Sequence, residues 1–306
     1  MSNSLISKII NTARVRFLFV LVATFFGGVI AVYAASSPSL GISNTFAILS
    51  STYTNTVIGT TINGDLGYTT GPATAPTVNG ATHAADSTYN QAGLDQNSAL
   101  VVLNSQPCSF SFAPGPINLA SDTTHGPVGV YTPGVYCIVG AASIGGGGTI
   151  TLTGPGTYIF RMNGALTTSV NSIVVLAGGA SACNVWWTPT QATTLGANST
   201  FIGTDIDASG ITIGSTVLWN GRALAFGGTV STSTDTINVP SGCIASTPIP
   251  ITTTTKAVPQ LVNTGTGTMV SIFYATIIII SLFLIIYTRR DNRSMLYNKK
   301  NKRDLR

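Results

Sequence analysis

The sequence predicts a mainly β fold, a β-solenoid with one long α-helix packed alongside it. Two observations lead to this prediction. Short strand-like segments with an outward Thr or Ser recur at a nearly constant interval, 18 residues from Thr194 to Thr212 and 19 from Thr212 to Ser231. That interval is close to the length of one solenoid turn. A single amphipathic stripe, over about residues 83–104, interrupts the β-rich segments.

Five segments share the same pattern of an outward Thr or Ser between inward residues. Because side chains alternate along a strand, residues two positions away on either side point in the same direction. Stacked in register, such strands would form a flat, uncharged face of Thr, Ser, Ala and Gly. The central residues are Thr151, Thr167, Thr194, Thr212 and Ser231, and their outward neighbours include Thr149, Thr153, Thr229 and Ser233. The alternative is that Thr occurs here only because it favours strands.

A second row of Thr residues lies one strand further along each turn of the predicted solenoid. It consists of Thr200, Thr216 and Thr236, and Thr61 would extend it from the N-terminal segment. We rank this row below the first because Asp235 interrupts it and its spacing is irregular.

The predicted helix has one apolar side. Small and apolar residues recur at steps of three and four, as expected for a helix that lies on an apolar surface. Thr82 is a suitable N-cap and Pro107 ends the segment. The repeating positions are Ala85, Tyr89, Ala92, Gln96, Ala99 and Leu103.

The charges of this 306-residue chain are few and lie mostly at its two ends. Only 8% of the residues are charged, and none is Glu. Between residues 17 and 288 there are three Lys or Arg and seven Asp, so the central region is mildly acidic. No basic patch remains there, which argues against nucleic-acid binding.

The two ends predict export and anchoring. Residues 1–34 have the basic, apolar and small-residue regions of a signal peptide, with cleavage after Ala34 or Ala35; an uncleaved anchor is the alternative. Residues 44–240 form the β domain, residues 241–268 a Thr- and Pro-rich stalk, residues 269–287 a transmembrane helix, and residues 288–306 a basic cytoplasmic tail. The domain is therefore expected at the cell surface, joined to the membrane.

A second kind of anchoring is suggested just before the apolar segment. Leu261 to Gly265 resembles the Leu-Pro-x-Thr-Gly signal at which sortases attach proteins to the cell wall, with Val262 in place of Pro. Attachment to the wall and a retained membrane helix therefore both stay open.

Four cysteines lie in the exported region, where disulfides form. Four cysteines allow three pairings, and we favour Cys108–Cys137 and Cys183–Cys243 because the first two lie in neighbouring segments. Their spacing does not suit a zinc site. We therefore expect structural disulfides and no metal.

Six motifs occur in order along the β domain and together resemble a known family. They are Phe46-Ala47-Ile48-Leu49, Asn63-Gly64-Asp65-Leu66-Gly67, Thr82-His83-Ala84-Ala85-Asp86, Pro133-Gly134-Val135-Tyr136-Cys137, Ala182-Cys183-Asn184-Val185-Trp186-Trp187 and Asn220-Gly221-Arg222-Ala223-Leu224-Ala225. The domain resembles the microbial ice-binding proteins. The resemblance implies a discontinuous, right-handed, three-faced β-solenoid with a helix alongside. It also implies adsorption to an ice crystal through a flat Thr-rich face, without a metal or cofactor.

Two other classes of function compete with ice binding. Some solenoids are polysaccharide-cleaving enzymes, which need paired carboxylates. Asp205 and Asp207 are the only close acidic pair, and with no Glu or cation nearby we expect a solvated pair and no catalytic residue. The other competitor is a surface adhesin that binds glycans or other cells through the same solenoid. It could stack sugars on Trp186, Trp187 and Trp219, although strand positions favour core or helix-packing roles for them.

Overall fold

The computed structural model describes residues 34–243. The predicted transmembrane segment (269–287), the tail (288–306), the sortase-like motif, all but the last residue of the signal peptide (1–34) and most of the stalk (241–268) lie outside the described residues. Within residues 34–243, no helix is both long and apolar enough to cross a membrane.

The described chain contains twenty short strands and one long helix, α1 (Ser87–Ser105). The strands are β1 (Phe46–Asn55), β2 (Thr61–Asn63), β3 (Asp65–Tyr68), β4 (Thr77–Val78), β5 (Thr82–Ala84), β6 (Phe110–Ser111), β7 (Ile117–Asn118), β8 (Val130–Tyr131), β9 (Gly134–Ile138), β10 (Ala142–Ile144), β11 (Thr149–Thr153), β12 (Tyr158–Met162), β13 (Leu166–Thr168), β14 (Ile173–Ala177), β15 (Val185–Pro189), β16 (Thr193–Leu195), β17 (Thr200–Ile206), β18 (Ile211–Ile213), β19 (Leu218–Thr232) and β20 (Thr236–Asn238).

The strands pair in parallel and form three ladders, the three faces of a solenoid. The first, which we name the helix-covered face, contains β6, β9, β12, β15, β3, β5 and parts of β17, β19 and β1. The second, the hydroxyl face, contains β7, β10, β13, β16, β18 and the C-terminal parts of β19 and β1. The third, the mixed face, contains β8, β11, β14, β20, β2, β4 and the first residues of β17 and β19.

The order of coils is discontinuous. Strand β1 pairs with β19 on one side and with β3 on the other, so the N-terminal coils stack on the last C-terminal coil. Helix α1 then returns the chain from β5 at one end to β6 at the other. Nine strands at a spacing of about 4.8 Å extend roughly 38 Å. The 19 residues of α1 cover about 28 Å of that distance at about 1.5 Å per residue.

The helix begins at Ser87, later than the predicted residue 83. The side chain of Asp86 accepts a hydrogen bond from the Tyr89 amide at 2.8 Å, which makes Asp86 the N-cap. The expected cap, Thr82, instead starts β5, which pairs with β3. The predicted apolar side is confirmed: Tyr89, Ala92, Gln96, Ala99 and Leu103 are buried, while Ala85 precedes the helix.

The interior of the solenoid contains a stack of aromatic side chains. The rings of Phe160 and Trp187 are 4.3 Å apart and nearly parallel, and those of Tyr136 and Phe160 are 5.2 Å apart. Trp219 lies in the same core, whereas Trp186 packs between the helix-covered face and the helix. All three tryptophans are buried, as expected for core and helix-packing roles.

Two disulfides crosslink the domain with the favoured pairing. Cys108–Cys137 has an S–S distance of 2.02 Å and joins the segment after α1 to β9. Cys183–Cys243 joins the turn before β15 to the C-terminal end of the described chain. Both predicted pairs are confirmed.

Candidate functional site

The hydroxyl face carries one continuous row of outward polar side chains. Thr167 lies opposite Thr194, Thr194 opposite Thr212, and Thr212 opposite Ser231. The row continues through Thr54 on one side. On the other side it continues through Ser143 and Asn118, which pair in the same register. Seven coils therefore each contribute one hydroxyl or amide to a straight line.

The local sequence explains why these side chains face outward. Strands β13, β16 and β18 are three residues long, with two inward residues around one outward Thr. Leu195, Ile211 and Ile213 are buried in the core, which fixes the intervening Thr on the surface. The central Thr167, Thr194 and Thr212 are all exposed.

Small residues border the row on both sides. Ala165, Ala192 and Gly210 precede the outward Thr by two positions, and Ser169, Gly196 and Gly214 follow it by two. A Cβ atom at Gly196 would lie 2.4 Å from the backbone carbon of Ser169, so adjacent coils stack too closely for a larger residue. These six positions carry no charge and no large side chain, which keeps the face flat.

Thr151 does not belong to this row, and the expectation that it does is wrong. It pairs with Val130 and Val175 on the mixed face, and its neighbours Thr149 and Thr153 pair with Ile173 and Ala177. The hydroxyl-face residue of that coil is Ser143. The glycine-rich turn of residues 145–148 lies between β10 and β11, so β11 begins the next face.

Of the other predicted neighbours, Thr229 lies on the hydroxyl face and Ser233 lies just beyond the end of β19. Thr229 pairs with Thr52 beside the Ser231–Thr54 pair, and Ser233 follows in the next turn. Sequence reasoning missed Ser143, Asn118 and Thr54. For Ser143 a signal existed, because Ala142-Ser143-Ile144 shows the same inward–outward–inward pattern between Ala141 and Gly145.

The second-choice row lies partly on the mixed face. Thr200 and Thr236 share one column there, but Leu218 pairs between them. Thr61 extends this column, as expected, and Thr77 follows it. Thr216 is not in the column, because it occupies a turn with a left-handed backbone, φ 60°.

Asp235 does not interrupt the second row, contrary to expectation. Its side chain is fully buried and accepts hydrogen bonds from the amides of Val217 at 2.9 Å and Ser233 at 2.6 Å. Burial raises the pKa of Asp235 to about 6, against the opposing effect of these two bonds. The carboxylate therefore organises the turn and stays away from the surface.

The mixed face is neither flat nor uniformly polar. Ile173, Val175 and Leu218 are exposed on it, the last by 49%. The amides of Asn79 and Asn63 each donate to the next Asn at 2.6 Å, forming a short bonded row with Asn238. Leu176, Ala180, Leu218, Asn238 and Pro240 line a depression of about 550 Å³ along one border.

The carboxyl pair considered for catalysis is buried, and the expectation of a solvated pair is wrong. Asp205 and Asp207 are 0% and 1% exposed. Burial and the neighbouring Asp207 raise the pKa of Asp205 well above its usual range. Burial also raises the pKa of Asp207. Both oxygens of Asp205 lack a hydrogen-bond partner within the described residues.

Arg161 and Arg222 each donate hydrogen bonds to backbone carbonyl oxygens of other segments. Arg161 donates to the carbonyl oxygens of Asn104 and Gln106 at 2.6 and 3.1 Å. Arg222 donates from Nε to the carbonyl oxygen of Asn44 at 2.9 Å.

Comparison with known proteins links this geometry to one family. The profile of the family described as Ice-binding-like matches residues 48–238. An ice-binding protein of Nostoc sp. (strain HG1) is 31% identical over 217 residues, which are 67% of this chain and 75% of that protein. An ice-binding protein of Flavobacterium frigoris (strain PS1) is 30% identical over 198 residues, 61% of this chain and 71% of that protein.

A solved structure has the same fold. The crystal structure of an ice binding protein from an Antarctic Biological Consortium superposes with a TM-score of 0.61 at 29% identity, covering 69% of this chain and 95% of that chain.

Proposed function

The chain belongs to the Ice-binding-like family, and from this premise we propose that it adsorbs to ice through its hydroxyl face. The observation that supports this choice is the row Thr167, Thr194, Thr212 and Ser231, held in register on adjacent strands. Thr229 and Ser233 flank the row, and Ser143, Asn118 and Thr54 extend it.

The chemistry of the row suits ordered water. Parallel strands about 4.8 Å apart hold the hydroxyls on a regular grid. Each Thr presents a methyl group, around which water forms a cage, and a hydroxyl that donates and accepts hydrogen bonds to anchor that water. Because the core fixes the strands before binding, adsorption orders few protein groups and costs little conformational entropy.

The hydroxyl face is a better candidate than the mixed face on grounds of shape. Exposed Ile173, Val175 and Leu218 project between the Thr residues of the mixed face. On the hydroxyl face the positions beside the central row are Ala, Gly, Ser or Thr. Weak contacts with a crystal plane add up only where the protein surface is equally flat, so the flatter face is favoured.

The competing functions have less support. A sugar-binding adhesin needs exposed aromatic side chains beside polar groups, and Trp186, Trp187 and Trp219 are buried. The acidic pair Asp205 and Asp207 is enclosed in the core, where a polysaccharide substrate has no access. We therefore propose a non-enzymatic ice-binding role.

We also propose that the domain is exported and held at the cell surface. The support is the sequence alone: the signal-like residues 1–34, the apolar residues 269–287 and the basic tail after them. Protease added to intact cells should remove the domain, and a domain protected from protease would contradict this location. Mass spectrometry of the mature C-terminus distinguishes cleavage after Thr264 from a retained helix.

Ice-affinity partition of the purified full chain tests the proposed function directly. The chain should enter a slowly growing ice hemisphere, while a soluble protein without ice affinity, added to the same solution, stays in the liquid. It should also produce thermal hysteresis and shape single ice crystals. Exclusion from ice, together with unshaped crystals, would contradict ice binding and reopen the adhesin interpretation.

A further inference from the structure

Arg222 is a buried cation without an acidic partner in the described chain. Its side chain is 1% exposed. Burial lowers the pKa of Arg222 to about 10, so it keeps its charge at neutral pH. The ion pairs found within residues 34–243 join His83 to Asp86 and His125 to Asp122. A buried charge without a counter-charge is costly, which raises the question of what compensates it.

The hydrogen bonds of Arg222 leave part of its guanidinium unused. Nε and Nη2 donate to the carbonyl and side-chain oxygens of Asn44, both at 2.9 Å, and Nη1 donates to the Thr204 hydroxyl at 3.4 Å. A guanidinium has five N–H groups, so one proton on Nη1 and one on Nη2 have no acceptor among the described residues. Two such protons match two oxygens of a carboxylate, sulfate or phosphate.

Arg222 also lines a cavity of about 250 Å³. The N-terminal segment around Ser39, the turn around Ser181 and the end of the domain at Cys243 form its walls. None of the residues that line it is Asp or Glu. The hydroxyls of Ser39 and Ser181 accept hydrogen bonds from the amides of Gly41 and Cys183, at 3.2 and 3.3 Å, so each still has its own proton to donate.

We propose that this cavity binds a small oxyanion, a carboxylate, sulfate or phosphate group, held by Arg222 with Ser39 and Ser181. The cavity lies where the N-terminal segment, the Cys183 turn and the C-terminal end of the domain meet. A bound anion supplies the missing counter-charge and holds these three segments together. By linkage, an anion that binds only the folded chain stabilises it. The proposal is independent of ice binding.

Thermal unfolding of the full chain in acetate, sulfate and phosphate, at matched ionic strength against chloride, tests the site. The melting temperature of the wild type should rise with anion concentration and saturate, and the anion that acts at the lowest concentration identifies the preferred class. Ser181→Asp places a carboxylate in the cavity and keeps a residue suited to capping the turn. It should melt higher than the wild type without added anion and lose the saturable response.

Ser181→Asn is the uncharged control: it removes the Ser181 hydroxyl but adds no carboxylate, so it should not melt higher than the wild type without added anion, and its saturable response should shift to a higher anion concentration. Sulfate and phosphate also stabilise proteins through general exclusion from the surface, without saturation. A rise that is linear and equal in the wild type and Ser181→Asp would overturn the proposal. Crystals soaked in selenate give a second test: an anomalous peak should lie within hydrogen-bond distance of Arg222, and an empty cavity would also overturn it.

Discussion

Arg161 connects the end of helix α1 to the first disulfide by donating from Nη1 to the carbonyl oxygen of Asn104 at 2.6 Å. Its Nη2 lies 3.0 Å from the sulfur atoms of both Cys108 and Cys137. The last carbonyls of a helix lack partners within the helix and carry partial negative charge. A cation at this position therefore satisfies the helix end and joins α1 to strand β12.

Arg161→Met should lower the free energy of unfolding by about 1–2 kcal/mol, since it keeps the apolar stem but removes the hydrogen bonds to the helix end. Arg161→Lys keeps the charge and one donor group, so it should lose less. Urea unfolding monitored by circular dichroism measures both. Equal stability of the wild type and Arg161→Met would show that the bonds contribute nothing beyond what water supplies.

The buried acid Asp205 should make the domain less stable as the pH rises. Because burial and Asp207 raise the pKa of Asp205, the folded chain keeps a proton that the unfolded chain releases above about pH 4. The stability that protonated Asp205 contributes is complete below the pKa of the unfolded chain and is lost as the pH rises through the higher pKa of the folded chain. Asp205→Asn should therefore raise the free energy of unfolding at pH 7 by roughly 1–3 kcal/mol and have little effect near pH 3.

Asp122 should show the opposite pH dependence and serves as the contrasting variant. Burial favours a raised pKa, but hydrogen bonds from His125 and Thr124 outweigh it and lower the pKa of Asp122. Its contribution is present above the unfolded pKa and is lost as the pH falls through the folded value. Asp122→Asn should thus lower the free energy of unfolding at pH 7 and have a smaller effect on it in acid. The measurement is the melting temperature of each variant minus that of the wild type, from pH 3 to pH 8. This difference should rise with pH for Asp205→Asn and fall with pH for Asp122→Asn. Slopes of the same sign would contradict the assignments.

Thr216 occupies a backbone conformation that a β-branched residue rarely adopts. Its φ is 60°, and the corresponding positions of the two preceding turns are Asn198 and Asn171, with φ of 57° and 63°. Asn tolerates this region better than Thr. Thr216→Asn should therefore stabilise the domain by about 0.5–1 kcal/mol. Thr212→Asn, in an extended strand, should bring no such gain. A lower melting temperature for Thr216→Asn would show that its hydroxyl, which bonds Asn198, matters more than strain.

The sequence predicted features that repeat locally, while features set by turn length or by enclosure were missed. The interval between Thr194 and Thr212 equals the length of one coil, and in the structure these two residues pair on adjacent strands. Thr151 shows the same pattern but lies on another face. It was misassigned because alternation identifies outward residues but does not indicate which face of the solenoid they belong to. The burial of Asp205 had no local signal, since the walls around it come from other coils.

Thr212→Tyr tests which face meets ice. Thr212 is exposed inside the hydroxyl row, with Thr194 on one side and Ser231 on the other. A Tyr here projects outward from between buried neighbours, so the core and the melting temperature should be nearly unchanged. It should hold the flat surface away from the crystal and separate both adjacent hydroxyls from the ice. We expect most thermal hysteresis and ice-plane staining to be lost.

Two matched changes make the result specific. Thr149→Tyr adds the same ring to an exposed position of the mixed face, and Asn97→Tyr adds it to an exposed position of helix α1. Both should keep the activity of the wild type, because neither ring reaches the hydroxyl row. If Thr149→Tyr abolishes activity while Thr212→Tyr retains it, the ice-binding surface is the mixed face. If both abolish it with unchanged melting temperatures, ice contacts the two faces together across the turns that hold Asn198 and Thr216. Only selective loss in Thr212→Tyr agrees with a flat hydroxyl row as the adsorbing surface.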